Sequence, residues 1–255
     1  MITGLVALAL PAQAGDADCR PAGAETAEIT AVTAQATIRL RDGRELVLAH
    51  LLPPEHHPDE APGDGPNRLA GWLAGQKLSW KPAGEPDRWG RIPANLFLQE
   101  PEEREPPFWL QAGLAQNGWA ALWPGRMPGA CLARLQIAER RALAAARGLW
   151  APEAQAGLLA RLGQDPDSAI GKRVVMLLRI RSVRSGRLGS FVNFVPSLHA
   201  SPSLFLTTRQ MEAFRHAQRD PFSWQGKRVL LRFVVPEQGI TRIRIEGIDH
   251  LLPID

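Results

Sequence analysis

Apolar and polar positions alternate along much of this chain, and in a few places the alternation gives way to a helical spacing. From residue 29 onward Ile29, Val32, Ile38 and Leu40 recur with the period of a half-buried strand. Arg41-Asp42-Gly43-Arg44 places Asp-Gly at a hairpin tip, and 45–52 reads as the returning strand. Pro53-Pro54-Glu55-His56-His57-Pro58 is a loop, and the chain stays rich in Pro, Gly and acidic residues to 66. Residues 68–75 read as a short helix and 76–82 as a strand carrying Leu78 and Trp80. Asp87-Arg88-Trp89-Gly90-Arg91 is turn chemistry, followed by a strand over 92–98. Helical spacing then appears at 108–115 and again, for longer, at 129–147. The second helix stops at Gly148, with Pro152 forbidding continuation.

Beyond a short helical linker the strand period returns. Val174, Met176, Leu178, Ile180 and Val183 share one phase; 185–189 is a turn, and 191–195 and 203–207 are further strands. Residues 209–217 form a helix with Met211, Phe214 and Ala217 on one face, and strands follow over 229–235 and 240–248. Three strands, a helix and two strands is the order of an OB fold. The pattern therefore predicts a mainly β chain with some α, built as two OB-fold-like five-stranded barrels. The first spans 28–152, a linker helix spans 153–169, and the second spans 170–255.

Charge separates the same two regions. The net charge of +4 divides into +8 for residues 170–255 (fourteen Lys/Arg less six Asp/Glu) and −4 for residues 1–169 (sixteen less twenty). On strands of the second region Arg179 and Arg181 share a face, as do Arg228 and Arg232, and Arg242 and Arg244. Such faces are either plain solvated surface or a cationic track for the phosphates of DNA or RNA. In the turn, Arg88 flanks Trp89, which either stacks on a base or covers a barrel edge. The other tryptophans default to core.

At the N-terminus Gly4 to Leu10 is apolar and Ala12-Gln13-Ala14 suits a signal peptidase. A leader over 1–14 predicts a secreted or periplasmic protein whose mature chain has no transmembrane anchor. In an exported chain the two cysteines, Cys19 and Cys131, predict one disulfide; the alternative is two unrelated thiols. No Cys/His spacing points to zinc, and the adjacent His56 and His57 of an extended loop point different ways, so no metal site is predicted.

The run Asp87 to Arg91, the strand behind it, the Leu114-centred helix and the helix closing on Gly148-Leu149-Trp150 together resemble the C-terminal half of the staphylococcal-nuclease-like (thermonuclease) family. The resemblance extends over 28–152, with Thr37 to Gly43 matching strand and turn and Pro54-Glu55 matching a closing Pro-Glu. It implies that the first barrel is of thermonuclease type, that Glu55 positions the attacking water, and that Arg91 contacts the scissile phosphate. It also implies calcium as cofactor only where nuclease activity survives. Ala36, Val47 and Leu52 stand where the family carries Asp, Arg and Asp. An Ala/Leu pair offers calcium no side-chain oxygen, and Val47 cannot grip phosphate. The expectation is a degenerate nuclease acting as a nucleic-acid-binding or interaction module. The alternatives are an active metal-dependent phosphodiesterase cleaving DNA or RNA, and an envelope protein that binds another protein and no nucleic acid.

Overall fold

The computed structural model describes residues 19–20, 22–33, 36–52, 69–71, 73, 78–98, 108–165, 167–195, 202–237 and 242–254. The expected leader, the loop 53–66 and Glu55, His56 and His57 lie outside them. The chain divides into two compact units of three segments each. One is Met1–Ala49, Glu60–Gly113 and Arg126–Gln136; the other is His50–Asp59, Leu114–Gly125 and Ile137–Asp255.

Strands are numbered along the whole chain. The first unit holds β1 (Glu25–Ala27), β2 (Ile29–Val32), β3 (Ile38–Leu40), β4 (Glu45–Leu48), β6 (Leu78–Pro82), β7 (Ile92–Leu98) and β8 (Phe108–Trp109). They form one sheet in the order β1-β6-β7-β4-β3-β2, with β8 also paired to β7. The hairpin forms where its residues require it. Gly43 takes φ +87°, and Asp42 Oδ1 accepts from the Arg44 N–H at 3.0 Å. Alternation then buries Ile38, Leu40, Leu46 and Leu48. β4 and β7 pair in parallel, Leu46 opposite Ile92, while the other pairs are antiparallel. Gln111, fully buried on helix α1 (Leu110–Gln116), gives its amide to β7. Its Nε2 donates to Ala94 O at 2.7 Å, and its Oε1 accepts from Leu96 N at 3.1 Å. Cys19 and Cys131 form the expected disulfide, Cα to Cα 5.6 Å.

The second unit is built on β10 (Arg173–Gly186), β11 (Gly189–Phe194), β12 (Ser203–Thr207), β13 (Arg228–Val234) and β14 (Leu251–Pro253), in the order β12-β11-β10-β13-β14. The long β10 serves two partners: 173–179 pairs with β13 and 180–186 with β11, with a register shift between Ile180 and Ser182. A two-residue ladder of β5 (Leu51–Leu52) and β9 (Ala121–Leu122) lies in the same unit. Among the described residues this unit takes in the end of α1 (from Leu114 on), α2 (Gly129–Ala144, from Ile137 on), α3 (Pro152–Gln164) and α4 (Thr208–His216). α4 opens with a capping box between Thr207 and Gln210.

The two-barrel expectation is corrected here: the chain is a mixed α/β protein with open sheets, and neither sheet closes on itself. In the second unit β12 and β14 stand at opposite edges. Near β12, among the described residues, 242–248 makes a single bridge, Leu204 to Ile243, where the pattern predicts a fifth strand over 240–248. The physical reason lies in β13, which is covered on both faces. Val229, Leu231 and Phe233 pack in a core with Val174, Met176, Phe194, Leu206 and Phe214. Leu230, on the other face, packs with Trp123, Ala142, Trp150, Val175 and Leu252. A barrel strand has an inner and an outer side, whereas this one is the middle layer of three. Each buried Leu, Val or Phe contributes about 1.5–3 kcal/mol, so two cores on one strand favour the layered arrangement. No described helix is long and apolar enough to cross a membrane.

Candidate ligand pocket

The most buried polar chemistry lies in the second unit, beginning at Arg232. Its side chain is fully buried. The guanidinium pairs with the Glu139 carboxylate of α2, itself buried. Between them the pair holds both backbone polar groups of one residue of β9. Leu122 N donates to Glu139 Oε1 at 2.8 Å, and Arg232 Nε donates to Leu122 O at 2.6 Å. A short strand with few neighbours is thereby fixed on both sides of one residue, and Trp123 follows it. Burial pushes the Glu139 carboxyl above its ordinary range and the Arg232 guanidinium below its own; each partner's charge pulls the other back.

Arg219 anchors the turn that precedes β14. Nη1 donates to Asp249 Oδ1 at 2.8 Å, and Nη2 donates to Ile248 O at 2.8 Å and Leu251 O at 2.7 Å. His250 N donates to Gly247 O at 3.1 Å. His250 is therefore placed by bonds on either side of it. A third stretch, 242–246, is held beside β12. Ile243 N donates to Ser203 O at 2.8 Å, Phe205 N to Ile243 O at 3.0 Å, and Gln210 Nε2 to Ile245 O at 2.8 Å.

These pieces line a half-open pocket of about 660 Å³, bounded by Trp123, Phe233, Val234, Pro236, Arg242, Arg244, Ile245, Glu246 and His250. That volume is in the usual range for organic ligands, about 300–1,000 Å³. His250 is 4% exposed, and neither ring nitrogen has a hydrogen-bond partner among the described residues. Glu246 Oε2 stands 3.8 Å from Nε2, beyond hydrogen-bond length. The imidazole meets Trp123 edge-on, centroids 5.4 Å apart at 84°, and Arg173 lies 5.0 Å from the Trp123 ring centroid. Burial pushes His250 below its ordinary value; Glu246 pulls it partly back, and Arg232 pushes it down again. The neutral ring has one N–H and one lone pair to offer.

The residues singled out in the sequence are found in several places. Arg242 and Arg244 are brought together on the pocket. Arg232 is in the interior, while Arg228 is exposed at the start of the same strand. Arg179 is exposed and donates from Nη1 to Gly226 O at 2.6 Å; Arg181 is exposed at the register shift of β10. In the first unit Arg88 and Arg91 lie 3.9 and 4.7 Å from the ring centroid of Trp89, which is 64% exposed. Arg91 is bound to Asp87, Nε and Nη2 to Oδ2 at 2.8 and 2.7 Å. Partial burial would raise the Asp87 carboxyl; Arg91 and the N–H groups of Arg91 and Trp89 outweigh it and hold the carboxyl below its ordinary value. Glu55 lies outside the described residues.

Sequence reasoning missed Glu139, Trp123 and His250 as parts of one place. The available signal was Arg232 itself, a lone charge inside Val229-Leu-Leu-Arg-Phe-Val-Val, which needs a buried partner wherever it lies. Among the described residues no group of three His, Cys, Asp or Glu is placed to hold a metal ion. No protein-family model matches the chain and no curated protein matches it in sequence, a finding that, with the open sheets, overturns the thermonuclease resemblance and the nuclease, degenerate-nuclease and OB-module readings built on it.

Proposed function

We propose that the protein binds a small organic molecule in the second unit's pocket and works in an oxidising compartment outside the cytoplasm. The observation that carries the binding reading is the pocket wall that brings Arg242 and Arg244, both exposed, beside Glu246. Guanidinium groups on a concave wall are available to a polar or anionic group of a ligand. The disulfide and the Ala12-Gln13-Ala14 sequence favour export.

The test is a fragment screen by ligand-observed NMR on the full chain and on Arg242→Gln with Arg244→Gln, which removes both guanidinium charges from the pocket wall. Fragments that bind the native chain are expected to lose affinity in the variant. Hits indifferent to the change, or no hits at all, would sink the reading. For export, N-terminal sequencing of periplasmic or secreted material is expected to begin at Gly15.

A further inference from the structure

β10 changes character at its register shift. Before the shift, Val175 and Leu177 lie against the core around Trp123 and Trp150. Beyond it, among the described residues, the sheet β12-β11-β10 has a core on one side only, filled by Ile180, Val192, Phe194, Leu204 and Leu206. On the outer side Arg184, Phe191 and Phe205 form one cross-strand row, and Ser182, Asn193 and Ser203 form the next. Asn193 ties the second row together. Its Nδ2 donates to Ser182 Oγ and its Oδ1 accepts from Ser203 Oγ, both at 3.2 Å. The Phe191 and Phe205 ring centroids are 5.1 Å apart, and Phe191 is 43% exposed. The hairpin that ends this face carries Arg187 and Leu188 at its tip, between the paired Gly186 and Gly189. Leu188, 77% exposed, is the most exposed large apolar side chain among the described residues.

The charges here are of one sign. Between Ser168 and Met211 the chain carries seven Lys or Arg and no Asp or Glu. In the first unit Arg39, Arg41, Arg44 and Arg91 are each paired with a carboxylate. Arg181, Arg184 and Arg187 are exposed, and among the described residues none of them has a carboxylate partner. We infer that this hairpin face docks on an anionic lipid bilayer, with Leu188 and Phe191 entering the headgroup region and Arg184 and Arg187 pairing with lipid phosphates. An apolar tip flanked by guanidinium groups suits a membrane–water interface, where the apolar parts leave water and each cation keeps a phosphate partner. Other occupants use less of the face. A neutral bilayer receives Leu188 and leaves the arginines unmatched. A second copy sets like charge against like. An acidic peptide satisfies the arginines and leaves Leu188 in water. Single-stranded nucleic acid stacks its bases on open ring faces, whereas Phe191 and Phe205 tilt against each other at 54° and Leu188 has no ring.

This surface is independent of the pocket. The experiment is sedimentation of the full disulfide-bonded chain with vesicles of phosphatidylcholine, and with vesicles of an equal mixture of phosphatidylcholine and phosphatidylglycerol. Binding is expected on the mixed vesicles only, and is expected to weaken as salt rises. Arg184→Gln with Arg187→Gln should lower the affinity about thirtyfold. Leu188→Ser should lower it about tenfold. All three side chains are exposed, so thermal unfolding of these variants should match the native chain. Both native cysteines are in the disulfide, so Leu188→Cys supplies a single thiol for an environment-sensitive fluorophore. Its emission should shift to the blue on the mixed vesicles. No binding to the mixed vesicles, binding that these substitutions leave unchanged, or an unshifted emission overturns the inference. So does tighter capture of a thymidine oligonucleotide or of polyglutamate that is lost in Arg184→Gln with Arg187→Gln, which would assign the face to a nucleic acid or an acidic protein.

Discussion

Gly118 and Gly148 approach each other so closely that neither has room for a methyl group. A Cβ on Gly118, at φ +68°, would lie 2.1 Å from Arg147 O, and Leu149 N donates to Gly118 O at 2.9 Å across the same contact. Gly118→Ala is expected to destabilise by at least about 2 kcal/mol, because backbone strain and a backbone clash add. Gly43→Ala, also at positive φ but with nothing within 4 Å, is expected to cost about 1 kcal/mol. Urea denaturation of the two variants separates strain from crowding. A second prediction concerns His250. Its imidazole titrates in the folded chain below the ordinary value near 6.5, so between the two values the unfolded chain holds the extra proton. Its contribution is full above that ordinary value and is lost as pH falls through it toward the folded one. His50, half-buried and likewise depressed by burial, acts in the same direction. The native chain should therefore lose more stability than His250→Phe on going from pH 7.5 to pH 5.5; equal losses would assign the proton elsewhere.

At the scale of elements, periodicity made most strands and helices legible. The strand at 92–98, the helix starting at 129 and the Asp-Gly hairpin all lie where their patterns put them. Alternation along one strand does not say whether its second face meets water or another layer. That information sits in Trp123, Ala142 and Trp150, far from β13 in sequence, so β13 read as a barrel wall. The same blindness hid the Arg232–Glu139 pair. By parity Arg232 matched the exposed Arg228, and Glu139 looked like any charge on a helix rich in Arg and Glu. The pocket was less legible still, because its wall joins a residue after β9 to the stretch before β14. Removing one member of the pair leaves a buried charge unmatched, so Glu139→Leu is expected to cost about 3–5 kcal/mol. Glu139→Leu with Arg232→Met should recover much of that, measured by chemical denaturation. No recovery would mean that the clamp on Leu122, and not the stranded charge, dominates.

For the whole molecule, the basic sequence 170–255 and the acidic remainder are joined in a chain whose two units are both discontinuous. The cross-link lies within the first unit, between cysteines 1% and 3% exposed. Reductant is therefore expected to act slowly on the native protein and quickly once urea opens it, as read by thiol trapping. Once broken, the link should cost the first unit about 2–4 kcal/mol, seen as a lower urea midpoint in Cys19→Ser with Cys131→Ser.

The cross-link also sets a clock for the chain's biogenesis. Its partners are 112 residues apart. At about 5–20 residues per second, the second sulfur leaves the ribosome on the order of ten seconds after the first. Through that interval the Cys19 thiol waits without its mate, and the early strands must be held by backbone pairing and apolar burial without the cross-link. With two cysteines in the chain, no mispairing within a molecule is available to it. The error open to it lies between molecules, and its frequency rises with the concentration of half-made chains.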